Sequence, residues 1–356
     1  MKKIFGYIIA AFACVAVVGC SDDDIDNPYA HVNSIKIVDS QVAFSAPASS
    51  GSVKFSCAGS VSVTSNRDWC KATVDGDSVI VTVTDNESLN GRAANVTLRN
   101  GSDTLQVAVV QNGMKIHLST KCASFAGDYE DNERYTLTSD IPVAIDSTPD
   151  WVSARIVDSC LYVSVTENNT GHLRTGYIYY GAGAYRDSLR VFQADFNNDI
   201  AGNYSLYFKD DKGNEDVLRN KTLSEVGLSL KKQGNVSLPM SYDPRNGAMV
   251  IYTGSPSGKD GNYSLYTVYI LNNAMWTGYN AGAQLSIPFE YNDTEGTVLR
   301  IKGYVSGQSV LAVSLRHFTG SFDESSDVGT VYKSYYSPVI KRAPAAASQV
   351  SSYVLR

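Results

Sequence analysis

The chain has 356 residues and a formal net charge of −6 at pH 7, with 43% hydrophobic and 19% charged residues. This length is enough for two to three domains with real cores. The acidic balance makes nucleic acids and anionic lipid surfaces poor partners.

Residues 1–19 have the pattern of a signal peptide. Two lysines precede an apolar run over residues 4–18. A run of this length is shorter than the about 20 residues that span a bilayer, which favours a cleaved leader over an uncleaved membrane helix. The run ends in Val-Val-Gly-Cys at residues 17–20, which resembles a bacterial lipobox, although the two valines depart from its commonest pair. The resemblance implies cleavage before Cys20 and acylation of that cysteine.

The segment after Cys20 is acidic, with Ser21, Asp22, Asp23 and Asp24 in succession. It resembles the signal that exports lipoproteins of Bacteroidota to the outer face of the outer membrane; a solvated acidic linker is the alternative. We expect residues 20–33 to form a flexible tether. Acyl chains contribute about 0.8 kcal/mol per buried methylene, which would hold the chain on a membrane without a spanning segment.

The next part of the chain repeats itself. A shift of 82 residues superimposes many identical or similar residues without a gap, including Val61 on Val143, Ser65 on Ser147, Trp69 on Trp151, Arg92 on Arg174 and Gln111 on Gln193. Such agreement at one offset predicts two copies of one domain, at residues 34–112 and 113–195.

Each copy contains short segments in which apolar residues alternate with polar ones. Residues 79–84 and 161–166 are examples, and Asn100 before Gly101 indicates a hairpin turn. No long helical period occurs after the leader. Strands at this spacing predict an antiparallel β-sandwich of immunoglobulin-like type for each copy.

The order of residues in the copies resembles the BACON domain of Bacteroidota surface proteins. The first copy carries Ser65, Asn66, Trp69, Asn86, Arg92 and Gln111. The second departs at Thr148 and Pro149, which replace the Asn-Arg pair, and at Leu173. BACON domains are associated with polysaccharide utilisation and with mucin-facing proteins, so the resemblance implies non-catalytic glycan binding.

From residue 196 the repeat stops and tyrosine becomes frequent. Alternating segments remain, at residues 204–208, 250–253, 265–271, 285–289, 298–304 and 310–318. Eight to ten strands without crossover helices predict an antiparallel barrel or sandwich over residues 196–343, and we favour a lipocalin-like up-and-down barrel. Residues 344–356 are expected to form a tail.

Two of the three tryptophans, Trp69 and Trp151, occupy the same place in the two copies. We interpret them as core anchors and not as ligand contacts, because their neighbours differ between copies and tryptophan is usually well buried. Arg92 and Arg174 also share one place, and tying a loop is a better interpretation than a ligand clamp.

The third tryptophan lies in a segment with the mixture of groups that a glycan site needs. Aromatic faces and amides lie close in sequence at Trp276, Tyr269, Tyr279, Asn273 and Asn280. We predict a glycan-binding surface there. Packing within the sheet is the open alternative, since clustered aromatics also form ordinary cross-strand pairs.

Signals for other chemistry are weak. After removal of the leader and acylation of Cys20, the cysteines are Cys57, Cys70, Cys122 and Cys160. Buried free thiols are expected, with bridges 57–70 and 122–160 as the alternative. No spacing suggests a metal or a cofactor. Four carboxylates could in principle serve a glycoside hydrolase, namely Asp243, Glu290, Asp293 and Glu295, but no hydrolase motif accompanies them.

The sequence therefore predicts a non-catalytic, lipid-anchored protein of the cell surface that binds glycans. The alternative is a spacer or an adhesion protein that binds another protein and no glycan. A hydrolase is the least favoured of the three.

Overall fold

The structure is a computed structural model that describes residues 31–230, 235–272 and 275–342. Their regular secondary structure is almost entirely β-strand, which confirms the all-β class. No helix among them is long and apolar enough to cross a membrane. The expected leader, Cys20, the acidic residues after it and the tail lie outside the described residues.

The chain forms two compact units. Within the described residues, the first contains 31–42, 50–82 and 94–109. The second contains 43–49, 83–93 and the chain from 110 onward.

Residues 36–111 form eight strands. They are β1 Lys36–Ser40, β2 Ala43–Phe44, β3 Ser49–Ser56, β4 Ser62–Ser65, β5 Cys70–Asp75, β6 Ser78–Val83, β7 Arg92–Asn100 and β8 Asp103–Gln111. One sheet has the order β1-β3-β6-β5 and the other the order β2-β8-β7-β4. Along β6, Val79, Val81 and Val83 are buried, because successive side chains of a strand point to opposite faces.

The first described residues are attached to β8. The ring of His31 and the backbone N–H of Ser34 both bind the carboxylate of Asp103, the N–H at 2.7 Å. Hydrogen bonds from Ser34, with a further one from His31, lower the pKa of Asp103 to about 2. Hydrogen bonds thus join the start of the described chain to β8, and residues 20–30 of the expected tether lie outside the described residues.

Residues 116–193 form eight more strands. They are β9 Ile116–Leu118, β10 Cys122–Phe125, β11 Asp131–Ser139, β12 Ala144–Ser147, β13 Val152–Val157, β14 Cys160–Val165, β15 Arg174–Ala182 and β16 Tyr185–Gln193. Their sheets have the orders β13-β14-β11-β9 and β10-β16-β15-β12. These are the orders of the first eight strands, and the bounds of β12 to β16 equal those of β4 to β8 plus 82.

A one-turn π-helix, Phe196–Ile200, leads into the C-terminal strands, which also include one 3₁₀ turn, Glu324–Ser326. The strands are β17 Gly202–Lys209, β18 Glu215–Ser224, β19 Gly227–Ser229, β20 Ser237–Pro239, β21 Ser241–Asp243, β22 Ala248–Tyr252, β23 Pro256–Asp260, β24 Tyr263–Leu271, β25 Gln284–Asn292, β26 Gly296–Arg300, β27 Tyr304–Val305, β28 Gln308–Phe318 and β29 Asp327–Lys341.

These thirteen strands form one sheet that is nearly closed into a barrel. Its order departs from the favoured up-and-down barrel, because β24 pairs with β28 and not with β25. The long strand β29 pairs first with β28 and later with β26. Ser337, with a φ of 46°, lies where β29 changes partner.

The C-terminal sheet and the second sandwich share a hydrophobic core. One cluster joins Leu173 and Phe192 of the sandwich to Phe289 and other residues of the C-terminal sheet. The rings of Phe192 and Phe289 lie 6.2 Å apart. Arg190 adds hydrogen bonds to the carbonyls of Asn246 and Phe289, at 2.8 and 2.7 Å. The two parts therefore stabilise each other.

All four remaining cysteines are free thiols, and neither of the alternative bridges is formed. Cys70 and Cys122 are buried, whereas Cys57 and Cys160 are half-buried. Burial raises the pKa of the Cys122 thiol, against the influence of Arg190.

Candidate functional site

The arginines shared by the two sandwiches tie a loop to a strand end. The Arg92 guanidinium donates to the Gln111 side-chain oxygen at 2.8 Å and to the Thr84 carbonyl at 2.7 Å. In the second sandwich Arg174 donates to the side-chain oxygen of Gln193 at 2.9 Å. Both glutamines are buried. The arginine and glutamine side chains are thus engaged in hydrogen bonds within their own sandwich and are poorly placed to hold a ligand.

The shared tryptophans are half-buried. Trp151 packs against the core of the second sandwich, with the guanidinium of Arg174 over its ring at 4.4 Å. Trp69 is also half-buried. One face of Trp151 is thus engaged by its own domain.

The loop that carries Trp276 folds back on the end of β24. The N–H of Leu271 donates to the carbonyl of Met275 at 2.8 Å, and the N–H of Thr277 donates to the carbonyl of Tyr269 at 3.0 Å. A single antiparallel bridge joins Ile270 to Trp276. These bonds fix the backbone on both sides of Trp276.

Trp276 is half-buried in a cluster of aromatic and charged groups. The Arg316 guanidinium lies 4.6 Å from the ring centroid, and the Tyr279 ring meets Trp276 edge-on at 4.9 Å. Asp327 accepts hydrogen bonds from the Arg316 guanidinium at 2.8 to 3.0 Å and from the Tyr279 hydroxyl at 2.7 Å. A guanidinium over an indole is a favourable cation–π contact.

The electrostatics of this cluster keep its ion pair charged. Burial opposes ionisation of Asp327, but the hydrogen bonds from Arg316, Gly329 and Tyr279 outweigh it and lower its pKa. The bond to Asp327 raises the pKa of Tyr279, which stays a neutral donor. Both neighbours of Trp276, Arg316 and Tyr279, are thus bound to Asp327, and they hold the indole in place.

Tyr269, predicted to contact a glycan, does not face solvent, and this part of the prediction is wrong. Its side chain is 0% exposed and its hydroxyl donates to the carbonyl of Ile251 at 2.7 Å. The reason is that the face of β24 that carries Leu265, Tyr269 and Leu271 lies in the hydrophobic core, a placement that the sequence left open. Asn273 lies outside the described residues.

Asn280 lies at an open cleft that sequence reasoning did not locate. The cleft has a volume of about 340 Å³ and is lined by residues 280–284 on one side and 304–306 on the other. Tyr304, at its wall, is 75% exposed. Asn280 and Gln284, both exposed, are among the lining residues. An exposed tyrosine and two exposed amide residues therefore line one cleft.

A tight turn presents Tyr304. The strands β27 and β28 are joined by Ser306 and Gly307, both with positive φ, at 50° and 78°. Two consecutive positive φ angles define the type I′ turn of a two-residue hairpin. The Ser-Gly pair two residues after Tyr304 is the sequence signal that would have identified this position.

Two of the four carboxylates considered for hydrolysis, Glu290 and Glu295, are engaged in ion pairs. Glu295 is bound by Lys341 at 2.6 Å and by Arg300, which also binds Glu290 at 3.1 Å. The hydrogen bond from Lys341 is the main reason that the pKa of Glu295 falls to about 2. A carboxyl that is ionised at every physiological pH is unsuited to act as a general acid.

Asp243 has a local role. It accepts hydrogen bonds from the backbone N–H of Arg245 and the side chain of Asn246 in the turn after β21. Within the ranges that the structure describes, no group of three or more His, Cys, Asp or Glu side chains is arranged to hold a metal ion.

Comparison with known families identifies one domain. Residues 59–112 match the family model described as "BACON: Putative binding domain, N-terminal". The match covers the C-terminal two thirds of the first sandwich, which is thus similar to a BACON domain. No curated protein matches the chain.

Among solved structures, similarity is remote. An endo-fucoidan hydrolase from glycoside hydrolase family 107 is 9% identical over 46% of this chain and 29% of its own, with a TM-score of 0.25. An I-band fragment of titin is 6% identical over 67% of this chain and 93% of its own, with a TM-score of 0.24. The chain thus spans less than a third of the hydrolase.

Proposed function

We propose that the chain is a non-catalytic, lipid-anchored surface protein that binds glycans in the cleft between residues 280–284 and 304–306. The observation that carries the proposal is the exposure of Tyr304 beside the amides of Asn280 and Gln284. A sugar ring needs an aromatic face for its C–H groups and polar side chains for its hydroxyls. Trp276 is assigned a supporting role, because Arg316 and Tyr279 already engage it.

The BACON domain supports binding in general, since its family is described as a binding domain. The domain does not by itself specify a glycan. The choice of a glycan as the ligand rests on the chemistry of the cleft. It also rests on the association of BACON domains with surface proteins of polysaccharide utilisation.

The membrane anchor is proposed from the lipobox-like residues 17–20. Acylation of Cys20, and export directed by Ser21 to Asp24, would place the domains outside the cell. Labelling of cells with an alkyne fatty acid should mark the wild-type protein and not the Cys20→Ala variant. Protease treatment of intact cells should remove the protein if it is on the surface.

Glycan binding is tested with the whole chain, because the second sandwich and the C-terminal sheet share a core and a cut at residue 196 would expose it. A glycan array identifies a ligand, and affinity electrophoresis with that glycan compares variants. Tyr304→Ala should weaken binding by about tenfold, the factor that corresponds to a loss of about 1.4 kcal/mol. The matched control is Tyr263→Ala, a tyrosine that is 41% exposed and does not line the cleft.

Equal binding by wild type and Tyr304→Ala would remove the cleft as the site. If the wild type binds no glycan on the array, the alternative of a spacer or protein-binding lipoprotein replaces the proposal. The hydrophobic core shared by the second sandwich and the C-terminal sheet favours that alternative, since a spacer must hold its parts together. Release of reducing sugar from a bound polysaccharide would overturn the non-catalytic assignment.

A further inference from the structure

The outer face of the second sandwich carries a cross-strand row of two arginines and a tyrosine. In the sheet β13-β14-β11, Tyr162 of β14 lies opposite Arg155 of β13 on one side and opposite Arg134 of β11 on the other. Directly opposite residues on neighbouring antiparallel strands have Cβ atoms about 4.5 to 5.5 Å apart. The phenol ring of Tyr162 therefore lies between two guanidinium groups in a row across three strands.

The contacts of the row hold its centre in place. The Arg155 guanidinium carbon lies 4.5 Å from the centroid of the Tyr162 ring. Tyr162 is half-buried, and both arginines are exposed. A stacked guanidinium loses little further entropy on binding and keeps its N–H donors available at the edge of its plane.

The charges of the row are not neutralised within the described part of the chain. The ion pairs found there involve neither Arg134 nor Arg155. This is unusual on a chain with a net charge of −6, because acidic side chains outnumber basic ones. Two guanidinium groups thus form a local positive site on an acidic protein.

The neighbouring row on the same face supplies uncharged polar groups. Asn132, Ser164 and Ser153 lie opposite one another two residues from the arginine row. Hydroxyl and amide groups beside the guanidinium groups can bind the hydroxyls of a sugar whose anionic group is bound by the arginines.

The first sandwich provides an internal reference for this face. At the equivalent positions it has Ser52, Ile80 and Thr73, which carry no charge. The registers agree, since Ser50 and Thr82, the equivalents of Asn132 and Ser164, are hydrogen-bonded across the strands at 3.1 Å. The same strand plan is thus formed without the charged row, and the fold does not require it.

We infer that the row Arg134, Tyr162 and Arg155 is a second binding site, specific for the anionic group of an acidic sugar. The ligand class is a glycan with carboxylate or sulfate groups, because guanidinium pairs both by charge-assisted hydrogen bonds. The inference rests on the proposed glycan-binding function and names the class of sugar that the second sandwich contributes to it. Charge complementarity is the argument for this occupant over a neutral one.

The test exchanges the row for the residues of the first sandwich in the whole chain: Arg134→Ser, Tyr162→Ile and Arg155→Thr together. Polygalacturonate, chondroitin sulfate and a neutral galactan serve as probes in affinity electrophoresis at low and at 0.5 M salt. Wild type should bind at least one acidic probe, and the triple variant should bind it about tenfold more weakly or worse. Binding should fall at high salt, since exposed charges are screened.

A charge-matched control is Arg67→Ser with Arg99→Thr, which removes two exposed arginines from the first sandwich. It should bind the acidic probes as the wild type does. The polygalacturonate and chondroitin sulfate arms distinguish carboxylate from sulfate as the anion recognised.

Unchanged binding of the acidic probes by the triple variant would overturn the inference, and so would absence of acidic binding by the wild type. Tyr304→Ala separates the two sites. If Tyr304→Ala loses binding to the neutral glycan and retains binding to the acidic glycan, both sites are supported. If Tyr304→Ala changes neither, only the arginine row is supported.

Discussion

The two sandwiches have one strand plan and differ on their outer faces. The inner positions of β6 and β14 are buried aliphatic residues in both, and both use an arginine and a glutamine to tie a loop. Outside, Val110 of the first sandwich is 48% exposed, whereas its equivalent Phe192 is fully buried against the C-terminal sheet. The fold thus constrains the residue types at inner positions. At outer positions the residue types depend on packing against other parts of the chain and on binding.

The largest expected difference between the copies is at this outer position. Phe192→Ala should destabilise the second unit by about 3 to 5 kcal/mol, because it removes a buried ring and leaves a cavity. The matched change Val110→Ala, at an exposed site, should cost less than about 0.5 kcal/mol. Denaturant unfolding followed by tryptophan fluorescence and circular dichroism measures both; equal effects would contradict the comparison.

The second unit should also respond to pH through Asp199. This carboxyl is 1% exposed, and its burial, together with a hydrogen bond involving Asp128, raises its pKa to about 7. The first sandwich has Ala46 in the place of Asp128. The unfolded chain releases the Asp199 proton above a pKa of 3.8, whereas the folded state keeps it up to about pH 7. The contribution of this carboxyl to the free energy of unfolding is therefore fully present below the unfolded pKa. It is lost as pH rises through the folded pKa.

The free energy of unfolding should fall by roughly 2 to 4 kcal/mol between pH 4 and 8. Asp199→Asn keeps a neutral hydrogen-bonding side chain and should flatten the slope. Calorimetry of the second unit at several pH values provides the measurement. A slope that persists in Asp199→Asn would assign the effect to other groups.

The loop tie should matter equally in the two copies. Gln111→Ala and Gln193→Ala each remove an acceptor for a guanidinium and a donor to backbone carbonyls. We expect each to cost about 1 to 3 kcal/mol, the penalty for leaving buried polar groups unsatisfied. A marked effect in one sandwich alone would show that the tie is not a shared structural element.

The smallest effect should come from the arginine row. Arg134→Ser, Tyr162→Ile and Arg155→Thr introduce residues that the first sandwich already has on the same strands. The triple variant should therefore change stability by less than about 0.5 kcal/mol, as exposed substitutions usually do. Thermal unfolding checks this, and a large destabilisation would mean that the row serves the fold.

Strands with a local alternating pattern can be predicted from the sequence. Alternation along residues 79–84 and 161–166 identified β6 and β14 because the side-chain period of a strand is two. The strand β18, Glu215–Ser224, was missed because most of its side chains are half-buried or exposed, which weakens the alternation. Tyr269 and Tyr304 show the same limit at the site: both are tyrosines on strands, and one is 0% and the other 75% exposed.

The all-β class and the 82-residue correspondence follow from the order of residue types along the chain. Which aromatic faces are covered depends on how the strands pack in three dimensions. Tyr269 is buried because its face of β24 lies in the hydrophobic core, and Tyr304 is exposed because a two-residue turn places it at the wall of a cleft. Burial depends on contacts between residues distant in the chain, which local periodicity does not encode.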